Sequence, residues 1–176
     1  MEGHARYIAG MPLVAFPDIP DDARVWVFAS SRPLADDAES TLLRDVDDFL
    51  SGWRAHGTPL AAARDWRDHQ FLAITIDPRS ADASGCSLDA LFRAFARLER
   101  DMGTTMLGGG RVFYRGTEGA VQTTDRAGFD ALAADGRVNA ETPVFDTSVT
   151  SARDWRTRFE LPASQSWHAT MLPAHR

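Results

Sequence analysis

Phe71-Leu72-Ala73-Ile74-Thr75-Ile76 is the stretch on which the fold turns. The run is short for a helix and too uniformly apolar for a strand with one wet face. It therefore reads as a central strand covered on both sides. Asp77-Pro78 closes it. Upstream, Arg24 to Ser31 reads RVWVFASS. Val25, Val27 and Ala29 alternate with Trp26, Phe28 and Ser30, which predicts a second strand with apolar groups on both faces. Pro59 to Trp66 gives a weaker strand pattern, interrupted by Ala61-Ala62-Ala63.

Two helical patterns separate these strands. From Asp36 to Ala55, the residues Leu42, Leu43, Val46, Phe49, Leu50 and Trp53 form one stripe at 3.6 spacing. Asp36, Asp37 and Glu39 fall in the first turns, where the helix dipole favours negative charge, and Gly57 is placed to stop the helix. From Ser87 to Asp101, the stripe is Leu88, Leu91, Phe92, Phe95, Leu98 and Met102, with Ser87 as N-cap and Gly103 at the C-terminal stop. Arg111 to Arg115 then reads as a strand and Ala120 to Thr123 as its hairpin partner. Thr124 or Asp125 caps a short helix ending at Gly136. The segment Val138 to Asp146 is extended. Ser151 to Asp154 resembles a capping box that opens a last helix bearing Trp155 and Phe159, stopped by Pro162.

Strand, helix, strand, strand, helix, strand through about residue 116 is the βαββαβ order. It predicts an α+β, ferredoxin-like body with both helices on one face of an antiparallel sheet. In that arrangement the strands near 24–30 and 110–115 flank or neighbour 71–76. The expected organisation is an N-terminal arm over 1–22, the α+β body over 23–118, and a C-terminal extension of short helices and strands over 119–176 packed on the body.

Composition narrows the function classes. The chain has 176 residues, 44% hydrophobic and 25% charged, with a net charge of −6. This suits one soluble domain and argues against a nucleic-acid binder held by phosphate contacts. All 19 basic residues are arginine, so Schiff-base and P-loop lysine chemistry is excluded. One cysteine, Cys86, leaves no internal disulfide or multi-cysteine metal site and fits a reducing, cytoplasmic setting. No stretch approaches the ~18–20 apolar residues of a membrane span, although peripheral contact with a membrane complex needs none.

Candidate chemistry centres on SGCSLD, residues 84–89. Cys86 stands at the N-terminal edge of the second helix, where the dipole and free N–H groups favour a thiolate. Ser84, Ser87 and Asp89 are its sequence neighbours, and His56, His69 and His168 are the bases a fold could bring near. The blander reading makes Cys86 a small apolar residue, the serines helix caps, and His56 a cation at the end of the first helix. The histidines lack metal-site spacing, so no metal or cofactor is expected. Gly108-Gly109-Gly110 precedes a strand rather than a helix, which reads as a tight turn and not a phosphate loop. Arg93, Arg97 and Arg100 line one face of the second helix, the pattern of a solvated face paired with acids. Trp26, Trp66 and Trp167 are the aromatics left for an interface, and Trp167 either pins the tail or anchors a partner.

The succession RVWVFASSRPL (24–34), WRAHGTPL (53–60), FLAITID (71–77), SGCSLD (84–89), TPVFD (142–146) and RFELPASQSW (158–167) resembles a family of small uncharacterised bacterial proteins. Some of its members carry the label "ABC transporter ATPase". The label implies ATP hydrolysis, but this sequence has no Walker A motif, no signature motif and no lysine. The resemblance implies that SGCSLD is a motif rather than one cysteine. The resulting expectation is a non-catalytic, soluble interaction protein, an accessory or scaffold subunit whose partner is a protein or, failing that, a small molecule. The alternative is a thiol-dependent enzyme or small-molecule sensor using Cys86.

Overall fold

A computed structural model describes residues 13–81, 83–107 and 109–173. The elements run β1 (Val25–Ala29), α1 (Asp36–Ser51), β2 (Arg54–Ala55), β3 (Thr58–Pro59), β4 (Ala62–Arg67), β5 (Phe71–Ile76), α2 (Gly85–Met102), β6 (Arg111–Arg115), β7 (Val121–Asp125), α3 (Arg126–Ala134), β8 (Pro143–Phe145), α4 (Ala152–Thr157) and β9 (Glu160–Pro162). Helices and antiparallel sheets coexist, so the class is α+β. Among the described residues no helix is long and apolar enough to cross a membrane. Most of the arm expected over 1–22 lies outside the described residues. Its described part is tied down: the Val14 N–H donates to the Ala62 carbonyl at 3.0 Å, and Phe16 is buried.

The ferredoxin-like expectation fails at its fourth strand. Strand β5 lies between β1 and β4, all antiparallel, but β6 joins a separate sheet in the order β7-β6-β8-β9. The place beside β1 is taken in part by two loops. Ala29 and Ser31 donate to the carbonyls of Met106 and Thr105, while Val25 donates to Thr150. Gly110, at φ 83°, then allows the turn that leads into the second layer.

Alternating side chains explain why a second sheet is needed. Leu72, Ile74 and Ile76 of β5, with Phe28 of β1, face the first core, where α1 contributes Leu42, Val46 and Leu50 and α2 contributes Leu91, Phe95 and Leu98. Both main helices therefore do lie on one face. Phe71, Ala73, Val25 and Ala63 point the opposite way, into a second core shared with Phe113, Phe145, Trp155 and Phe159. The far face of the second sheet, with Val112 and Val144, is covered by Phe129 and Ala133 of α3 and by Ala163. The result is four layers: helices, sheet, sheet, helix.

Several local expectations shift. Helix α1 ends at Ser51, not near Ala55, and Gly52 rather than Gly57 caps it. His56 therefore sits in the β2–β3 turn, where His56 and Gly57 both have positive φ (48° and 82°), and not at a helix end. The N-cap of α2 is Ser84, with Ser87 at N3. Phe92, assigned to the buried stripe of α2, is exposed. Phe159 lies beyond α4 but still packs on Trp155, ring centroids 4.0 Å apart.

The start of the described chain is clasped to α4 by one residue. Arg156 of α4 donates to the Phe16 and Ile19 carbonyls at 2.9 and 2.7 Å and pairs with Asp21 at 2.6 Å.

Candidate functional site

Three places bear on function: the first turn of α2, the outer face of α2 with the adjoining edge of β1, and a cleft in the second sheet.

At the first turn, Ser84 and Ser87 cap each other. The Ser87 N–H donates to Ser84 Oγ at 3.2 Å, and the Ser84 N–H donates to Ser87 Oγ at 2.8 Å. Ser87 Oγ also donates to the Ser84 carbonyl at 2.8 Å, and Trp53 Nε1 donates to the Ser87 carbonyl at 2.9 Å. The serines thus cap the helix start, and Trp53 ties it to the core. Ser84→Ala should cost about 1 kcal/mol, a typical N-cap loss, read as a lower urea midpoint. Cys86 and Asp89 are exposed on the solvent side of this turn.

Among the described residues no candidate base is hydrogen-bonded to Cys86. His56 is exposed in its hairpin turn. His69 Nδ1 lies 2.6 Å from Glu39 Oε2, and this bond, reinforced by the carboxylate charge, holds the imidazole above its usual pKa. His168 is buried in the third core region, with Nδ1 2.9 Å from Ser166 Oγ and the ring stacked on Trp167. Burial pushes its pKa down to about 4, opposed by the Asp146 carboxylate and aided by Arg126. Among the described residues no group of three or more His, Cys, Asp or Glu side chains could hold a metal ion.

The three tryptophans are all half-buried. Trp26 meets Trp53 edge-on at 6.4 Å, and the Arg24 guanidinium lies 5.2 Å over its ring. A shallow hollow of about 340 Å³ opens there, bounded by Ile76, Pro78 and Leu88. Trp66 packs against the first core. Trp167 donates from Nε1 to Asp146 at 3.1 Å, with Arg126 4.8 Å over its ring. In the described chain it holds the C-terminal segment onto the second sheet.

The outer face of α2 carries what the sequence reading missed. Phe92 is 44% exposed, and its ring stands edge-on to Phe28 at 6.0 Å. Arg93, Arg97 and Arg100 are exposed on the same helix, Arg97 bordering the groove between α1 and α2 with Asp45 and Phe49. They were expected to pair with acids, yet none has an ion-pair partner among the described residues, although Asp89 and Asp101 stand at the ends of the row. Phe92 forms the rim of a slot of about 230 Å³ against the open edge of β1, with Val27, Met106, Arg111, Phe113 and Thr147 among its walls. A single exposed position inside a stripe of apolar spacing gives no sequence signal, because exposure depends on whether a fourth strand covers the edge of β1.

The second sheet holds a wider cleft of about 790 Å³, where the β6–β7 hairpin stands apart from the segment 136–143. Tyr114, Leu132 and Val138 form its apolar part, and Gln122, Arg137 and Glu141 its polar part. Strands β6 and β8 pair only at Phe113–Phe145 and Tyr114–Val144, and the next residue of β8, Pro143, has no N–H to continue the ladder.

No family model, curated protein or solved structure matches the chain.

Proposed function

We propose that this chain is a non-catalytic binding protein, an accessory or scaffold subunit that engages a protein partner in the cytoplasm. The observation that carries this reading is the outer face of α2, which exposes Phe92 together with three arginines that have no ion-pair partner among the described residues. Aromatic and arginine side chains are the two types most enriched where interfaces concentrate their energy. A phenylalanine left 44% exposed at the mouth of a slot gains most of its remaining burial from a second molecule. Purification of the tagged chain from its own cells tests the reading. Recovery with one or more stoichiometric protein subunits is the expected result. Recovery as a lone chain under gentle, low-salt conditions would count against it.

A second reading has one observation in its favour: Cys86 is exposed on the first turn of a capped, 18-residue helix. A thiol there meets the helix dipole directly. Iodoacetamide at neutral pH separates the two readings. Alkylation about tenfold or more faster than a free-cysteine peptide would favour thiol chemistry. A matching rate, equal in folded and urea-unfolded protein, leaves Cys86 a surface residue.

A further inference from the structure

We infer that the tight turn between β4 and β5 and the first turn of α1 form a pH-sensitive latch, closed while the His69 imidazole carries its second proton and loosened when that proton leaves. The latch governs segment 30–34, which leads from β1 into α1, and it does not depend on the partner proposed above.

The turn is bent against the preference of its own residues. The Gln70 N–H donates to the Arg67 carbonyl at 3.0 Å, and between them Asp68 and His69 both take positive φ, 52° and 54°. Two consecutive left-handed residues form the hairpin turn that glycine and asparagine favour. Neither place holds one of them, so contacts from outside must hold the turn. Arg115 of β6 donates to Asp68 Oδ1 from Nη1 and Nη2, each at 3.1 Å. His69 Nδ1 lies 2.6 Å from Glu39 Oε2. The Leu34 N–H donates to the His69 carbonyl at 2.8 Å, and the Ser30 N–H donates to the Gln70 carbonyl at 2.9 Å.

The start of α1 needs the same contacts. Its N-cap is Ala35, which supplies no side-chain oxygen to the free N–H groups. Leu34, buried just before it, is bonded to the turn, and Glu39 in the first helical turn is the partner of His69. Gln70 extends the connection: its Nε2 donates to the Ser30 carbonyl at 2.9 Å and to Thr123 Oγ1 at 3.2 Å. Segment 30–34 is thus fastened to the turn at both of its ends.

The proton on His69 sets the strength of this fastening. The charged groups acting on it are Glu39 and Asp36 from α1 and Asp68 from its own turn, all carboxylates. Of the cations nearby in the fold, Arg115 is bonded to Asp68 and Glu160, Arg67 to Asp65, and Arg32 of segment 30–34 is exposed. The bond to Glu39 and its charge hold the imidazole above its usual pKa. Burial raises the Glu39 carboxyl, but the Trp66 indole and His69 lower it overall, so it stays ionised while His69 titrates. In the protonated state an ion pair closes the latch. A neutral Nδ1–H still reaches Glu39, but the charge is gone, and the bent turn and the helix start lose that share of their support. Because the closed form binds the proton more tightly, closure weakens as pH rises through the folded pKa.

The test is amide hydrogen exchange by NMR on the whole chain at about pH 6 and about pH 8, a range that brackets histidine titration. Rates are converted to protection factors, so that the intrinsic pH dependence of exchange drops out. Protection at Leu34, Glu39 and Gln70, whose N–H groups bond to the carbonyls of His69, Ala35 and Arg67, should fall several-fold between the two conditions. Ala73 and Ile74, in the central strand of the first sheet, should keep theirs. Ring-nitrogen shifts should give His69 a midpoint above ~6.5, moved down by Glu39→Gln. His69→Gln puts a non-titrating amide in an exposed position and should remove the pH dependence of protection, and high salt should shrink it in the parent protein. His168, with a pKa of about 4, is neutral at both conditions and cannot produce the effect. Amide spectra check that both variants remain folded. Equal protection at the two conditions, a His69 midpoint at or below ~6.5, or an unaltered pH dependence in His69→Gln would each overturn the latch.

Discussion

Phe71→Ala is expected to destabilise the protein by about 3–5 kcal/mol, the range for a large aromatic removed from a packed interior. Phe71 is the first residue of β5, fully buried, and it projects from the first sheet into the second. Its ring lies 5.2 Å from Phe113, 4.8 Å from Phe145 and 5.1 Å from Phe159. It therefore touches β6, β8 and the segment before β9, all of the second layer. The void left by alanine is walled by rings anchored in three different strands or turns, so it cannot close by one local shift. Urea unfolding measures the loss. Phe71→Leu should recover more than half of it. A loss below about 1.5 kcal/mol, the scale of a volume-conserving swap, would mean the two sheets are not held together by this cluster.

The second large effect is acid sensitivity from His168. The folded imidazole has a pKa of about 4 and the unfolded one about 6.5. Between those values the unfolded chain binds a proton that the native state refuses, so stability falls as pH falls. The full difference corresponds to about 3 kcal/mol, complete once the pH is below the folded value. Phe129, Trp167 and Ser166 surround the ring, so protonation should loosen the C-terminal turn first, and Trp167 emission reports it. His168→Phe should flatten the slope of stability against pH in this window. His69 works the other way: its raised pKa adds stability that is present below about 6.5 and lost as pH rises through the folded value. That pair is exposed to solvent and screened, so acidification should still give a net loss. An unchanged slope in the His168 variant would show that the buried imidazole is not the titrating group.

Most elements of this fold are legible in the sequence, and the reason the architecture is not lies in the same residues. FLAITI reads correctly as a strand covered on both sides, and the two amphipathic helices do cover one side together. Those two readings are incompatible with a two-layer fold, because helices on one face leave Phe71, Ala73 and Val25 without cover. The missing layer was present as Val112-Phe113-Tyr114 and Val144-Phe145, runs with apolar groups on both faces. The β6–β7 hairpin is local, but the pairing of β6 with β8 and the packing of both on Phe71 join segments distant in sequence, which no local pattern records. Ser84 and Ser87 were legible as caps, although with their roles exchanged. Phe92 and the arginine row were not legible as a candidate site. Their spacing fits a buried position and a paired face equally well, and only the displaced strand leaves them uncovered.

The clasp made by Arg156 has a consequence for how the chain emerges during synthesis. Its guanidinium holds carbonyls at Phe16 and Ile19, residues 140 and 137 positions earlier. Trp155 and Phe159, which complete the second core, belong to the same late segment. A chain delivered from its N-terminus at ~5–20 residues per second has the whole first sheet outside the ribosome for several seconds before these side chains arrive. During that interval one face of the sheet is packed by α1 and α2 while the other shows Phe71 and its neighbours to water. The nascent protein is then a half-clad sheet and a natural client for a chaperone. Stalling translation just before Trp155 should trap that client, and stalling well beyond Phe159 should release it.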